Sequence, residues 1–151
     1  MANIKIGDLA KRTSCQVETI RYYENEGLLA KPSRSNGNYR LYSEDHVERL
    51  QFIRHCRSLD MTLSEIRALL RFRDAPDENC GEVTVLLDEH IGHVTSRIGE
   101  LRSLERQLRS LRGLCLKSQA AAQCGILQGL STREPKQLKV RATHGRSGHS
   151  L

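Results

Sequence analysis

This chain of 151 residues has no tryptophan, two phenylalanines, four tyrosines and three prolines. It has no apolar run approaching the ~20 residues that a membrane-crossing helix needs, so a membrane protein is not expected. Its opening stretch, MANIKIGDLA, lacks the basic-then-apolar pattern of a secretory segment, which points to the cytoplasm. Five cysteines are present, but with no CxxC pair and no dense framework. An odd, scattered set suits a reducing compartment in which thiols act as ligands or sit buried. The scatter also counts against a redox enzyme, which would use a close pair.

Against these absences stands a net charge of +6, unevenly spread. Residues 1–74 carry 13 basic and 10 acidic groups, residues 75–130 carry 6 and 7, and residues 131–151 carry 5 and 1. A basic N-terminal part is compatible with nucleic acid as partner. All four tyrosines lie between positions 22 and 42.

Taken in order, IGDLAKRT (6–13) reads as a short helix, Ser14 and Cys15 as a turn, and 16–26 as a second helix ended by Gly27. Two short helices across a tight turn make a helix-turn-helix, whose second helix enters the major groove. Glu18, Thr19, Arg21, Tyr22 and Tyr23 are its expected outward residues. A hairpin around Asn36-Gly37 follows and forms a wing. Its Arg34, Asn38, Tyr39, Arg40 and Tyr42 supply cations and hydroxyls suited to phosphates and sugars. Tyr23 and Tyr39 equally suit a small core. Ser43 caps a third helix to about residue 57, and Thr62 with Glu65 forms a capping box for a fourth. DAPDEN reads as a hinge.

The stretch from Cys80 to Cys124 organises the remainder. Leu87, Ile91, Val94, Ile98, Leu101, Leu104, Leu108 and Leu111 recur at steps of three and four, a coiled-coil seam with a stammer between Ile98 and Leu104. Asn79 and Glu82 predict the start of this helix at Cys80. At 1.5 Å per residue, Cys80 and Cys115 stand roughly 50 Å apart along it, whereas one ion wants its sulfurs within about 2.3 Å. They share an ion only if two copies pack antiparallel, so that Cys80 of one chain meets Cys115 and Cys124 of the other.

The residues ETIRYYENEGLL and NGNYRLYSEDHVERLQFIRHCRSLDMTLSEIRALL resemble the MerR family of transcriptional regulators, over residues 4 to about 130. The resemblance implies a mainly α fold: winged helix-turn-helix with a helix pair (1–74), hinge and dimerisation helix in an antiparallel coiled coil (75–117), metal-binding loop with a short helix (118–130), and a basic histidine-containing tail (131–151). It implies a homodimer on promoter DNA that distorts an overlong spacer for RNA polymerase, and no enzyme. By position, Arg21 and Tyr22 in the recognition helix and Arg40 and Tyr42 in the wing would touch DNA, with Thr19, Tyr23, Arg34 and Asn38 beside them.

Within the family the cysteines choose the branch. Copper and silver sensors lack a thiol at the position of Cys80, iron–sulfur sensors need four close cysteines, and multidrug sensors carry a large further domain. The stretches LLDEHIGHV and CGILQGL look most like lead- and cadmium-responsive members, with Cys80, Cys115 and Cys124 as the ligands. Three thiolates suit Pb(II) or Cd(II), and also Hg(II) or Zn(II). A mercury-responsive regulator with the same site is the nearest alternative. A second candidate metal site comprises His90, His93, His144, His149 and Glu65, against the reading of these as ordinary polar positions. Cys15 and Cys56 read as small buried hydrophobes. A cytosolic thiol metal buffer or redox protein is the alternative of a different class.

Overall fold

The computed structural model describes residues 3–132, in two compact units, residues 3–83 and 84–132. The first begins with α1 (Ile6–Thr13) and α2 (Val17–Asn25), joined through Ser14 in the left-handed conformation at φ 52°. Leu9 of α1 and Ile20 of α2 are both fully buried, so the pair closes over a shared apolar core. Gly27, at φ +75°, ends the segment after α2. A side chain there would be strained whatever the space around it.

The wing is short. Strands β1 (Ser33–Arg34) and β2 (Arg40–Leu41) pair antiparallel, Ser33 opposite Leu41 and Arg34 opposite Arg40. The turn between them is not a two-residue Asn-Gly turn. Asn38, at φ 62°, is the left-handed residue, and the Ser35 carbonyl accepts from the Asn38 N–H at 2.9 Å. That is the pattern of a three-residue turn closed by a left-handed residue. Gly37 has a different role, since a Cβ there would lie 2.9 Å from the Tyr39 ring. The chain near its start joins this sheet through Ile4, which exchanges backbone bonds with Tyr42.

Helices α3 (Glu44–Ser58) and α4 (Leu63–Arg73) form the expected pair. The Thr62 hydroxyl accepts from the Glu65 N–H at 3.1 Å, and the Glu65 carboxylate accepts from the Thr62 N–H at 3.2 Å. The capping box of α3 is completed by His46, whose Nδ1 accepts from the Ser43 N–H at 3.1 Å. Val47, Leu50 and Ile53 of α3 and Ile66 and Leu70 of α4 join Leu9, Ile20, Leu28 and Tyr42 in one core. Arginines tie its rim: Arg12 grips Glu44 at 2.7 and 2.9 Å, Arg49 donates to the Leu28 carbonyl at 2.6 Å, and Arg54 to the Thr13 carbonyl at 2.6 Å.

The long helix α5 runs uninterrupted over Gly81–Arg112, straight through the stammer. It starts one residue after Cys80, because the Asn79 carboxamide oxygen accepts from the Gly81 N–H at 2.7 Å. A short 3₁₀ turn (Ala121–Gln123) and α6 (Gly125–Thr132) complete the described chain. No helix of the described residues is long and apolar enough to cross a membrane.

Candidate DNA-binding surface and thiol site

The helical period decides which residues of α2 are available to a ligand. Thr19, Ile20 and Tyr23 fall on its buried face, which leaves Glu18 and Arg21 exposed and Tyr22 half-exposed. Tyr22 and Tyr23 nevertheless lie close, with ring centroids 5.8 Å apart. In the wing, Arg34 and Asn38 are exposed and Arg40 half-exposed. The Arg34 guanidinium donates to the Asn38 carbonyl at 3.1 Å.

Three of the eight residues expected at the DNA surface therefore point inward. Tyr42 is wholly enclosed and its hydroxyl donates to the Glu24 carboxylate at 2.6 Å. Burial and that carboxylate together raise its phenol well above the ordinary tyrosine range. Tyr42 thus anchors the wing to α2 and does not reach out of it. Tyr23 and Thr19 are buried for the same periodic reason. Tyr39 was an expected wing contact, whereas Lys5 was not. The Lys5 ammonium sits 5.8 Å from the centroid of the exposed Tyr39 ring, bringing a cation and a phenol to one edge of the wing. Hydrophobic patterning does not see this pair, because it depends on the Ile4–Tyr42 bridge.

The thiols are placed by three local structures. Cys80 is exposed immediately before α5, and its carbonyl accepts from the Val83 N–H at 3.1 Å. Cys115 follows α5 in a tight bend, where its carbonyl accepts from Arg112 at 2.8 Å and its Sγ donates to the Lys117 carbonyl at 3.2 Å. Cys124 sits at the mouth of α6. The N–H groups of Leu127 and Ile126 and the Cys115 thiol all bond its sulfur, holding the thiol below its ordinary range. The loop thus places the Cys115 and Cys124 thiols near enough to influence each other.

Glycine makes this close approach possible. A Cβ on Gly125 would collide with the Leu114 carbonyl, and one on Gly129 would lie 2.7 Å from the Leu114 methyl. The two glycines, one turn apart, let α6 settle on the segment that carries Cys115. Two glutamine side chains staple the loop, Gln119 to the Gln123 carbonyl at 2.9 Å and Gln128 to the Ala122 carbonyl at 3.2 Å. The glycine spacing was the available signal for this in the sequence. As a donor set, two neighbouring thiols, one biased toward thiolate, fit a soft divalent ion and leave room for a further ligand.

The remaining cysteines behave as packing groups. Cys56 is buried, Cys15 half-buried, and desolvation raises both thiols. Of the second candidate metal set, His90 is buried and His93 half-buried, their rings 6.4 Å apart and nearly perpendicular. Glu65 caps α4, while His144 and His149 lie outside the described residues.

The seam residues of α5 are left open. Leu87, Ile91, Val94, Ile98, Leu101 and Leu108 are each between 42 and 58 % exposed. Isolated apolar side chains on a surface are ordinary, but a continuous stripe along a 32-residue helix marks a contact surface.

Comparison with known proteins agrees with this architecture. Residues 4–72 match the family model of MerR helix-turn-helix regulatory proteins, and residues 47–111 match that of the MerR DNA-binding region. A homolog of the transcriptional regulator ZntR from Haemophilus influenzae is 50% identical over 109 residues, 72% of this chain and 81% of that protein. The lead(II) complex of the transcription regulator PbrR691 from Ralstonia metallidurans CH34 is 53% identical, with a TM-score of 0.75, and the match covers 84% of this chain and 98% of that one. The mercury(II) complex of the regulator MerR from Bacillus megaterium MB1 is 31% identical, with a TM-score of 0.65, and covers 85% and 99% of the two chains. A winged helix-turn-helix followed by a helix pair and one long helix, matched in sequence along most of its length, means that this chain belongs to the MerR family of helix-turn-helix regulatory proteins.

Proposed function

We propose that the protein is a heavy-metal-responsive transcriptional regulator that binds promoter DNA as a homodimer and activates metal-resistance or efflux genes. The observation that carries this reading is the glycine-packed loop that holds Cys115 and Cys124 near each other directly after a long helix with an open apolar stripe. Two copies of α5 packed antiparallel would cover the stripe and deliver Cys80 of the partner subunit as the third thiolate. Pb(II) or Cd(II) is the favoured effector, with Hg(II) and Zn(II) as further candidates. Relatives solved in complex with lead(II) and with mercury(II) support that range.

On the DNA side, Arg21 and Tyr22 read the major groove from α2, while Arg34, Asn38 and Arg40 hold the backbone from the wing. The metal favours one arrangement of the dimer, and through it one shape of the promoter, which RNA polymerase then uses. The division of the chain into DNA-binding, hinge-and-dimerisation, metal-loop and tail segments belongs to the same reading. His90 and His93, whose rings lie 6.4 Å apart on α5, are the candidates for a second, weaker metal site.

Promoter transcription measured across a metal series on Cys80→Ser, Cys115→Ser and Cys124→Ser tests the reading. Each change is expected to abolish the metal response while leaving DNA binding in place. Wild-type lead or cadmium dependence in all three variants would eliminate the thiolate site. The different-class alternative, a thiol buffer, predicts no sequence preference in a gel shift with the chain's own upstream DNA.

A further inference from the structure

The charge on α5 divides at its midpoint. Its first sixteen residues carry Glu82, Asp88 and Glu89 and no lysine or arginine, a net −3. Its last sixteen carry Arg97, Arg102, Arg106, Arg109 and Arg112 against Glu100 and Glu105, a net +3. The three acidic residues of the first half and all five arginines of the second are exposed.

The helix dipole accounts for only part of this polarity, because its influence fades within the first and last turns. Glu82 and Arg109 or Arg112 lie in those turns. Asp88, Glu89, Arg102 and Arg106 lie well away from both turns. Pairing within the helix does not use up the polarity either. Arg97 bonds Glu100 at 3.0 Å and Arg109 reaches Glu105 at 3.5 Å, so those contacts stay within the basic half and leave its net charge in place.

We propose that the two oppositely charged halves of α5 are the orientation code of the dimer, so that a second copy of this chain docks antiparallel and is repelled in the parallel sense. The inference rests on the homodimer proposed above. It supplies what the apolar stripe lacks, since leucines and isoleucines at steps of three and four accept a partner in either direction. Antiparallel pairing sets each −3 half against a +3 half, whereas parallel pairing sets like against like. The offset that brings Cys80 opposite Cys115 also brings Leu87 opposite Leu108, Ile91 opposite Leu104, Val94 opposite Leu101 and Glu89 opposite Arg106. The thiol site is incomplete without the antiparallel copy, so the charge code also specifies where a metal site can form.

The test uses the full chain and no metal. Dimer dissociation constants are measured by sedimentation equilibrium at low and high salt, with circular dichroism to follow helix content. Three proteins are compared with wild type: an acidic form (Arg102→Glu, Arg106→Glu, Arg109→Glu), a basic form (Glu82→Lys, Asp88→Lys, Glu89→Lys), and the six-fold form carrying both sets. The acidic and basic forms are expected to dimerise on the order of 100-fold more weakly at low salt, and the six-fold form to recover most of the loss. A one-to-one mixture of the acidic and basic forms should associate more tightly than either alone. High salt should narrow these differences. Unchanged dissociation constants in all forms, or no recovery in the six-fold form with helix content intact, would overturn the charge code. A monomeric wild type would instead overturn the homodimer on which it rests.

Discussion

Tyr42 shows how one side chain can be right in motif and different in role. Its place in the wing suggests a hydroxyl for DNA, yet the fold encloses the ring and turns the hydroxyl toward Glu24 at 2.6 Å. Tyr42→Phe is expected to lower stability by about 1.5–3 kcal/mol, the usual net worth of a hydrogen bond to a charged group, with DNA affinity unchanged once the protein is folded. Arg21→Ala should do the reverse, weakening promoter binding with little change in melting temperature. Thermal unfolding and a gel shift on both variants separate the two roles.

Glu44 allows a pH prediction at the same scale. The two hydrogen bonds from Arg12 hold its carboxyl below the ordinary range. A group whose folded value is depressed contributes stability above its unfolded value, and that contribution is lost as pH falls through the folded value. Glu44→Gln should therefore be less stable than wild type at pH 7, and the gap should close below about pH 4, where carboxylates protonate. Urea unfolding at pH 7 and pH 3 reads this directly. Both groups are exposed, so the effect is small and salt-sensitive.

Among the elements, the helices with explicit start and stop signals were legible in advance. Ile6–Thr13 coincides with its sequence reading, and the Thr62–Glu65 box stands where the S/T-x-x-E pattern put it. Such signals are local, a side chain bonding a backbone group three residues away, and so they survive without knowledge of the fold. The wing was harder to foresee because Asn-Gly and Ser-Asn-Gly-Asn admit more than one turn, and the strands are too short to decide between them. The loop after α5 was the least legible element. Its geometry depends on Gly125 and Gly129 lying against Leu114, a contact between segments with no periodic signature. Gly125→Ala is expected to separate Cys124 from Cys115 and to weaken soft-metal binding about 10- to 100-fold, the range seen when the surroundings of metal ligands are disturbed. Thiolate-to-metal absorption during titration measures it, and an unchanged affinity would show that the loop tolerates the added methyl.

For the whole molecule, the relevant contrast is between a unit that closes its own core and one that does not. Residues 3–83 bury Leu9, Ile20, Leu50, Ile53 and Ile66 completely. In residues 84–132 the seam side chains remain open, and among the described residues His90 is the one buried member of α5. A unit with its own core should keep its surface when the thiol loop is altered. The double variant Cys115→Ser, Cys124→Ser is accordingly expected to bind promoter DNA within about threefold of wild type, with the salt dependence of phosphate contacts preserved. Binding curves at two salt concentrations check this, and a large loss would mean that the loop supports the DNA-binding unit.

The amino-acid sequence by itself determined the helices, the capping boxes, the apolar seam, the charge polarity of α5 and the identity of the soft donors, because each is written in residue type and spacing along one element. Tertiary structure alone decided that Tyr42 faces the core, that Lys5 meets Tyr39, and that the Cys115 and Cys124 thiols come near each other. These are contacts between segments distant in sequence or joined by irregular backbone, where periodicity carries no information and packing settles the outcome. The stretch from Cys80 to Cys124 belongs to both classes: its length separates its end cysteines, and its folded loop unites the last two.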